Sequence, residues 1–197
     1  MRRKPNFLQI LGLALVLLSA AALLGSEFYS MRNEKTAENL ADRLQTVIPA
    51  LREGDPQDYS DPAMPVLQLD GQDFCGLIRV PSFGVSLPLG SSWDSSIVMR
   101  YPCRFSGSAY DNSLIVGGSA DQFAFCGRLD LGETITVTDM TGARFSYQVT
   151  RIDRRPHADS STLLQTDSDL TLFVRDDSTL DYIIVRCSFL SRGIGSK

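Results

Sequence analysis

The feature that most constrains this chain is a series of short apolar segments, bounded by turn residues, that begins at residue 66. In the longest, residues 143–152, Phe145, Tyr147 and Val149 alternate with polar side chains. A period of two predicts a β-strand with one buried face. Further strand segments are 66–69, 74–80, 85–89, 114–116, 134–138, 170–174 and 182–185. So many short strands predict a mainly β fold closed, or nearly closed, into a barrel, because closure hides strand edges.

The stretch of residues 112–137 is the centre of this pattern. Its first strand runs into Gly117 and Gly118, and residues 123–129 then offer an apolar face over one or two helical turns. A strand, a glycine pair and a short helix commonly frame an enzyme site, yet this glycine pair carries no catalytic side chain. Residues 105–111, which lead into the stretch, are interpreted as a loop.

The N-terminus contains an apolar run, residues 7–24, in which Gln9 is the only strongly polar residue. As a helix of about 1.5 Å per residue it spans roughly 27 Å, close to the hydrocarbon thickness of a bilayer. Positive residues 2–4 before it and Glu27 after it predict a single-pass anchor with a cytoplasmic N-terminus and an extracellular remainder. A cleaved signal peptide is the alternative, because residues 20–22 are small, but the run exceeds a usual signal core.

A second helix is predicted between the anchor and the strands. Within residues 27–53 the apolar side chains form one stripe, which favours a stalk that packs on its own domain over a partner-binding coiled coil. The stripe consists of Leu40, Leu44, Val47, Ile48 and Leu51. Residues 54–65, with three prolines and three aspartates, form a linker. The expected divisions are therefore 1–26 (cytoplasmic end and anchor), 27–65 (stalk and linker) and 66–197 (β domain).

The composition excludes several functional classes. The net charge of -4 and the absence of a basic patch with interleaved aromatic residues argue against nucleic-acid binding. His157 is the only histidine, lies in a polar loop and is interpreted as a surface residue, and the four cysteines lack CxxC spacing, so no zinc site is expected. No cofactor is predicted.

Neither cysteines nor serines give a catalytic pattern. Three of the four cysteines (Cys75, Cys126 and Cys187) have apolar neighbours, and desolvation makes such thiols inert; Cys103 lies beside an arginine, which is weak support for a nucleophile. In an exported chain, four cysteines allow two disulfides with three connectivities. There is no GxSxG motif.

The aspartates around the last strand pair are interpreted as solvated loop carboxylates. The functional alternative is a weak calcium site formed by Asp176 and Asp177.

Several blocks of sequence resemble sortases, the membrane-anchored cysteine transpeptidases of Gram-positive bacteria. The matching blocks are GLIRVPSFGVSLPLG, RFSGSAYDNSLIVGG, FAFCGRLDLGETITVTDMTGARFSYQV and DLTLFVRDDSTLDYIIVRC. Their order and spacing are most similar to the small class B or D-like sortases of clostridia. The resemblance implies an eight-stranded β-barrel with one or two short helices and a groove on one face, preceded by the transmembrane helix and stalk. It also implies that Cys103 and Cys187 fall where such sortases often carry cysteine, which makes them a candidate disulfide.

The catalytic residues of the family do not carry over. By the resemblance, the catalytic histidine corresponds to Gly118, the nucleophilic cysteine to Arg175, and the arginine of the last strand to Tyr182. Sortase chemistry needs a thiolate nucleophile, an imidazolium acid and a cation for the oxyanion. Glycine has no side-chain proton to donate. Arginine has a pKa above about 12, so it stays protonated and cannot act as a nucleophile. Covalent transpeptidation is therefore expected to be absent.

Three hypotheses remain open at the level of sequence. The first is a non-catalytic pseudo-sortase that binds a sorting-signal-like peptide, a surface protein or a pilin in a groove near Ser119, His157, Arg175 and Tyr182. The second is an active cysteine transpeptidase or hydrolase with displaced residues, for which a dyad of Cys126 and His157 is the candidate. Arg186 is set aside as a replacement arginine because it is expected on the opposite strand face. The third is a structural domain without a ligand.

Overall fold

The fold is described by a computed structural model for residues 15–21, 37–49, 59–157, 160–164 and 167–194. Residues 15–21 are helical (α1) and lie within the predicted membrane anchor 7–24, the rest of which is outside the described residues. Among the described residues, no helix combines the length and apolarity that crossing a bilayer requires.

The β domain contains nine strands within the described residues. They are β1 (Leu67–Leu69), β2 (Gln72–Val80), β3 (Val85–Gly90), β4 (Cys103–Ser106), β5 (Leu114–Gly118), β6 (Thr134–Asp139), β7 (Ala143–Arg155), β8 (Leu170–Arg175) and β9 (Tyr182–Ile194). The prediction of eight strands was therefore one short. The missed strand is β4, which the sequence analysis assigned in part to a loop. Its sequence, CRFS, is too short to show a period of two, and its place is fixed by pairing with β5.

These strands form one sheet in the order β1-β2-β3-β4-β5-β8-β9-β7-β6, and β2 pairs with β6 as well. The additional pairing joins the last strand of the sheet to its second strand, so the sheet curves round and β1 is appended to its edge. The parallel pairing of β5 with β8 brings the centre of the sequence beside the last strand pair. This crossover places the ends of β5, β8 and β9 together.

Helices are few and short. Helix α2 (residues 37–47) precedes the sheet, and α3 (Ser160–Leu163) lies between β7 and β8. The helical turns predicted for 123–129 are a 3-10 helix, Ala124–Arg128, and a second 3-10 helix, Pro81–Phe83, joins β2 to β3. Gly84 ends the latter in the left-handed region, at φ 64°, which glycine adopts without strain.

The predicted packing of the stalk helix on its own domain is seen for its first part. Ala37, Leu40, Ala41 and Leu44 of α2 are buried in the same apolar cluster as the inner side chains of the sheet. Val47, which the stripe also included, is exposed, and Leu51 lies outside the described residues. Of the stripe, Leu40, Leu44 and the partly buried Ile48 therefore pack on the domain.

Each strand of the β5–β8–β9 region has two buried faces. One face contributes to the main core, and the other carries a smaller cluster formed by Ile115, Leu163, Phe173 and Ile184, with Phe105 and Tyr182 against it. We call this second set the outer cluster. Because both faces are covered, these strands read as continuous apolar runs, which is the expected pattern for strands buried on both sides.

Candidate functional site

The three positions singled out by the sequence lie on neighbouring strands at one end of the sheet. Arg175 is the last residue of β8 and pairs with Tyr182, the first residue of β9. Gly118 is the last residue of β5 and pairs with Val174, which is adjacent to Arg175. The structure therefore brings the three backbone positions together, as the resemblance requires. Their assignment as former catalytic positions stays a prediction.

The space beside Gly118 is occupied by an aromatic ring. A Cβ placed on Gly118 would lie 2.8 to 3.0 Å from ring atoms of Phe123, which is fully buried. The nearest ring atom is Cγ of Phe123, through which the ring is joined to its Cβ. Rotation of the Phe123 ring about this bond does not move Cγ, so it would not remove the overlap. The ring thus fills the direction in which a catalytic side chain at position 118 would start.

Arg175 and Tyr182 differ in their surroundings. The guanidinium of Arg175 is exposed and forms no ion pair or side-chain hydrogen bond within the part of the chain that the structure describes. Tyr182 is half-buried and packs against the outer cluster. The neighbouring Asp176 does not pair with Arg175, because its carboxylate accepts hydrogen bonds from Ser178 and lies 3.8 Å from Arg154. Arg175 is therefore a cation available to a ligand.

An aromatic group borders this end of the sheet. Trp93 stacks on Phe173 with ring centroids 5.5 Å apart, and Phe105 meets both rings edge-on. Trp93 remains 41% exposed, so part of its ring is accessible from solvent. Gly117 allows the close approach of these rings, since a Cβ there would lie 2.4 Å from both Phe173 and Trp93. The rings form an apolar surface next to Arg175.

A buried arginine on the same face was placed wrongly by the sequence analysis. Arg186 pairs with Thr171 in the β8–β9 ladder and is four residues from Tyr182, so a period of two puts both side chains on one face. Its side chain is 2% exposed, donates to the carbonyl of Thr162 at 2.8 Å and lies 3.3 Å from Asp167. Arg186 thus ties the segment around α3 to the sheet. The alternation of side chains along a strand, counted from Tyr182 to Arg186, could have predicted this face from the sequence.

The cysteine thiols are buried and are not exposed on this face. All four cysteines are buried and free. Burial raises the pKa of Cys103 to about 11 and those of Cys75 and Cys187 to about 12, and it raises the pKa of Cys126 well above its usual range. A thiolate is the reactive form of cysteine, so none of these groups is activated at neutral pH.

The candidate disulfide between Cys103 and Cys187 is not formed. Cys103 lies on β4 and Cys187 on β9, with β5 and β8 between them. Three strand spacings of about 4.8 Å amount to roughly 14 Å of sheet, whereas a disulfide joins Cα atoms less than about 7 Å apart. The crossover between β5 and β8, which the sequence did not disclose, is the reason for this separation.

The other sequence candidates do not assemble into a catalytic group. His157 is exposed, two residues beyond the end of β7, whereas Cys126 is fully buried, so the displaced dyad is not present. Ser119 follows Gly118 directly, and its hydroxyl is buried without a hydrogen-bond partner in the described part of the chain. It is oriented by no neighbouring base there, and a serine needs one to become a nucleophile.

A cavity opens on the face of the sheet opposite to the side chains of Arg175 and Tyr182. It has a volume of about 260 Å³, and its lining residues Val174 and Ile183 belong to the main core, whereas Tyr182 packs against the outer cluster. Its lining consists of Ala120, Phe123, Ala124, Gly127, Arg128, Arg154, Val174, Asp176 and Ile183. We call it the front cavity. Arg154 and Asp176 stand 3.8 Å apart at its rim, so its polar wall is already ion-paired.

No metal centre is built here. Asp176 Oδ1 accepts hydrogen bonds from the backbone N–H and hydroxyl of Ser178, and these bonds lower the pKa of the carboxyl. The carboxylate therefore closes the β8–β9 turn. Within the described ranges, no three metal-ligating side chains come close enough together to hold an ion.

Comparison with known proteins identifies the fold. No protein-family model matches the sequence, and no curated protein sequence matches it. Solved structures do: sortase A from Listeria monocytogenes has a TM-score of 0.55 at 16% identity, over 63% of this chain and 92% of that chain. Sortase C1 from Streptococcus agalactiae has a TM-score of 0.55 at 18% identity, over 80% of this chain and 89% of that one.

A third match, the sortase D5 transpeptidase of Clostridium perfringens, has a TM-score of 0.53 at 18% identity, over 60% of this chain and 79% of that chain. The β domain therefore has the sortase fold. Because class A, C and D structures match to almost the same degree, these likenesses do not favour one class.

Proposed function

We propose that the chain is a catalytically inactive member of the sortase family, of class B or D-like type, whose β-barrel binds a peptide. The single observation that carries this proposal is the composition of the face at the ends of β5, β8 and β9. That face presents Arg175, Tyr182 and the ring of Trp93, and the thiols of the described residues are buried with raised pKa values. It offers groups that bind and none that attack a carbonyl carbon.

The charge of this face selects the ligand. Arg175 has no carboxylate partner among the described residues, and a guanidinium binds a carboxylate through two parallel hydrogen bonds. The rings of Trp93, Phe105 and Phe173 offer an apolar surface beside it. The preferred ligand is therefore an acidic peptide or a peptide C-terminus with apolar neighbours, such as a processed sorting-signal-like peptide, a surface protein or a pilin.

The cellular position follows from the apolar run 7–24. As a single-pass anchor with a cytoplasmic N-terminus, it would hold the domain on the outer side of a Gram-positive cell membrane, where surface proteins pass. Membrane fractionation with protease added outside intact protoplasts tests this: the domain should sediment with the membrane and be cleaved from outside. A soluble or protected domain would contradict it.

The binding test compares two peptides that differ in one group. The full-length chain is titrated with a short apolar peptide ending in a free carboxylate and with the same peptide ending in an amide. The carboxylate form should bind more tightly, and Arg175→Ala should remove the difference, a loss of roughly tenfold or more for a charge-assisted hydrogen bond. Arg100→Ala, at another exposed arginine, should leave both affinities unchanged. Equal binding of the two peptides would refute the ligand assignment.

A thiol-reactive peptide separates this proposal from an active transpeptidase with displaced residues. The folded chain should not be labelled at neutral pH, since burial raises the pKa of Cys103 to about 11, those of Cys75 and Cys187 to about 12, and that of Cys126 well above its usual range. Rapid labelling of one cysteine, together with peptide cleavage that its mutation abolishes, would establish an enzyme.

A further inference from the structure

A second cavity, away from the Arg175 face, lies beside the free edge of β3. It has a volume of about 180 Å³ and is enclosed by α2, the β2–β3 connection and the 3-10 helix Ala124–Arg128. Its lining consists of Glu38, Phe83, Gly84, Val85, Ser86, Leu87, Asp121, Gln122, Ala124, Phe125 and Arg128. We call it the edge cavity. It shares only Ala124 and Arg128 with the front cavity and contains no residue of β8 or β9.

One lining residue of the edge cavity, Gln122, carries an unsatisfied amide. Gln122 is 8% exposed, and both its side-chain oxygen and its side-chain nitrogen are buried without a hydrogen-bond partner in the described part of the chain. Leaving such a group unpaired costs free energy, and nearly all buried polar groups in proteins are paired. An amide that can donate and accept at once is complementary to another amide. The side chain of Gln122 is therefore suited to a peptide group.

The backbone of β3 offers a second set of partners. Its neighbour β4 pairs with it only at Gly90, whose N–H donates to the carbonyl of Pro102 at 2.9 Å. Backbone groups two residues apart in a strand point the same way, so those of Ser86 point to this side as well. Ser86 has no backbone partner there among the described residues. An open strand edge next to a pocket is the usual receptor for an extended peptide.

The side chains that line the edge cavity determine which side chain and which charge a bound peptide would need. Phe125 and Leu87 are buried, and Phe83 is held by the guanidinium of Arg128, 5.1 Å from the ring centroid. These side chains make the interior apolar, while Glu38 and Asp121 put carboxylates among its lining residues. A ligand with an apolar side chain and no negative charge suits such a cavity. The Arg175 face has the opposite charge preference.

We propose that the edge cavity binds an extended, uncharged or basic peptide segment, with one apolar side chain inside the cavity, a peptide group hydrogen-bonded to Gln122, and the backbone paired with Ser86. The site is independent of the proposed function, because it uses none of the residues that bind a carboxylate at Arg175. Two peptides, or two parts of one partner, would be able to bind the chain at the same time.

The test uses N-acetyl-leucine N-methylamide, which has one apolar side chain between two peptide groups. Ligand-observed NMR titration of the full-length chain should show saturable binding. Compounds that carry a 4-methylpentyl chain and no amide group should bind more weakly. Gln122→Leu should weaken binding roughly three- to tenfold, the effect of losing a hydrogen bond. The same variant should keep or raise the melting temperature, because the amide it removes has no partner among the described residues.

Controls keep this result separate from the proposed function. Gln148→Leu changes an exposed glutamine and should leave the titration unchanged, as should Arg175→Ala. Absence of saturable binding, equal binding to Gln122→Leu, or a lowered melting temperature of that variant would each overturn the proposal. So would occupation of the cavity by ordered water alone in a crystal grown with the probe. Loss of carboxylate-peptide binding at Arg175 would affect only the proposed function.

Discussion

Replacing Gly118 tests whether the ring of Phe123 leaves no room for a side chain at this position. A methyl group in Gly118→Ala would lie 2.8 Å from the ring carbon that joins Phe123 to its backbone, closer than side-chain carbons approach one another. Overpacking of this kind costs about 1–3 kcal/mol. For a chain of this size the melting temperature should fall by roughly 2–12 °C.

The assay is a double-mutant cycle read by chemical denaturation. Phe123→Ala alone removes a buried ring and should cost about 3–5 kcal/mol. In that background Gly118→Ala should become nearly neutral, so the coupling energy should reach about 1 kcal/mol or more. Gly193→Ala is the matched control, because a Cβ on this glycine of β9 meets no atom within 4 Å.

A Gly118→Ala variant as stable as Gly193→Ala, or a coupling energy near zero, would refute the packing argument. For the same reason, we expect that Gly118→His, Arg175→Cys and Tyr182→Arg together do not produce transpeptidation. The histidine would have no room to reach a substrate while the ring of Phe123 remains in place.

Two further predictions concern stability. Arg186→Ala should lower the free energy of unfolding by about 2–3 kcal/mol, because its buried guanidinium contacts the carbonyl of Thr162 and the carboxylate of Asp167. Arg151→Ala is the control: this half-exposed arginine pairs with the same Asp167, and its loss should cost less than about 1 kcal/mol. Equal effects of the two variants would contradict this. Stability in reducing buffer should also fall as pH rises from about 8.5 toward 12, because the thiols of the unfolded chain lose protons in this range while burial keeps those of Cys75 and Cys187 protonated to about pH 12. Melting temperatures that stay constant from pH 8 to pH 11 would contradict it.

The sequence predicted elements whose signal is local. Alternation and turn residues located eight of the nine strands, because side-chain period follows directly from strand geometry. They failed for β4, whose four residues are too few to show a period. The short helix predicted after the glycine pair is a 3-10 helix, and Phe125 within it packs against Phe83 and Phe123.

The sequence by itself determined that no histidine or cysteine stands at the ends of β5, β8 and β9, since residue types need no coordinates. Only the tertiary structure decided what occupies that space: Phe123 beside Gly118, an Arg175 that forms no ion pair with the other described residues, and Arg186 buried on the same face. It also separated Cys103 from Cys187 and left the amide of Gln122 without a partner among the residues it describes. Apart from the contact of Gly118 with Phe123, which is five residues away, these facts depend on contacts between residues distant along the chain. Such contacts follow from strand order and pairing, which the local pattern of a sequence does not specify.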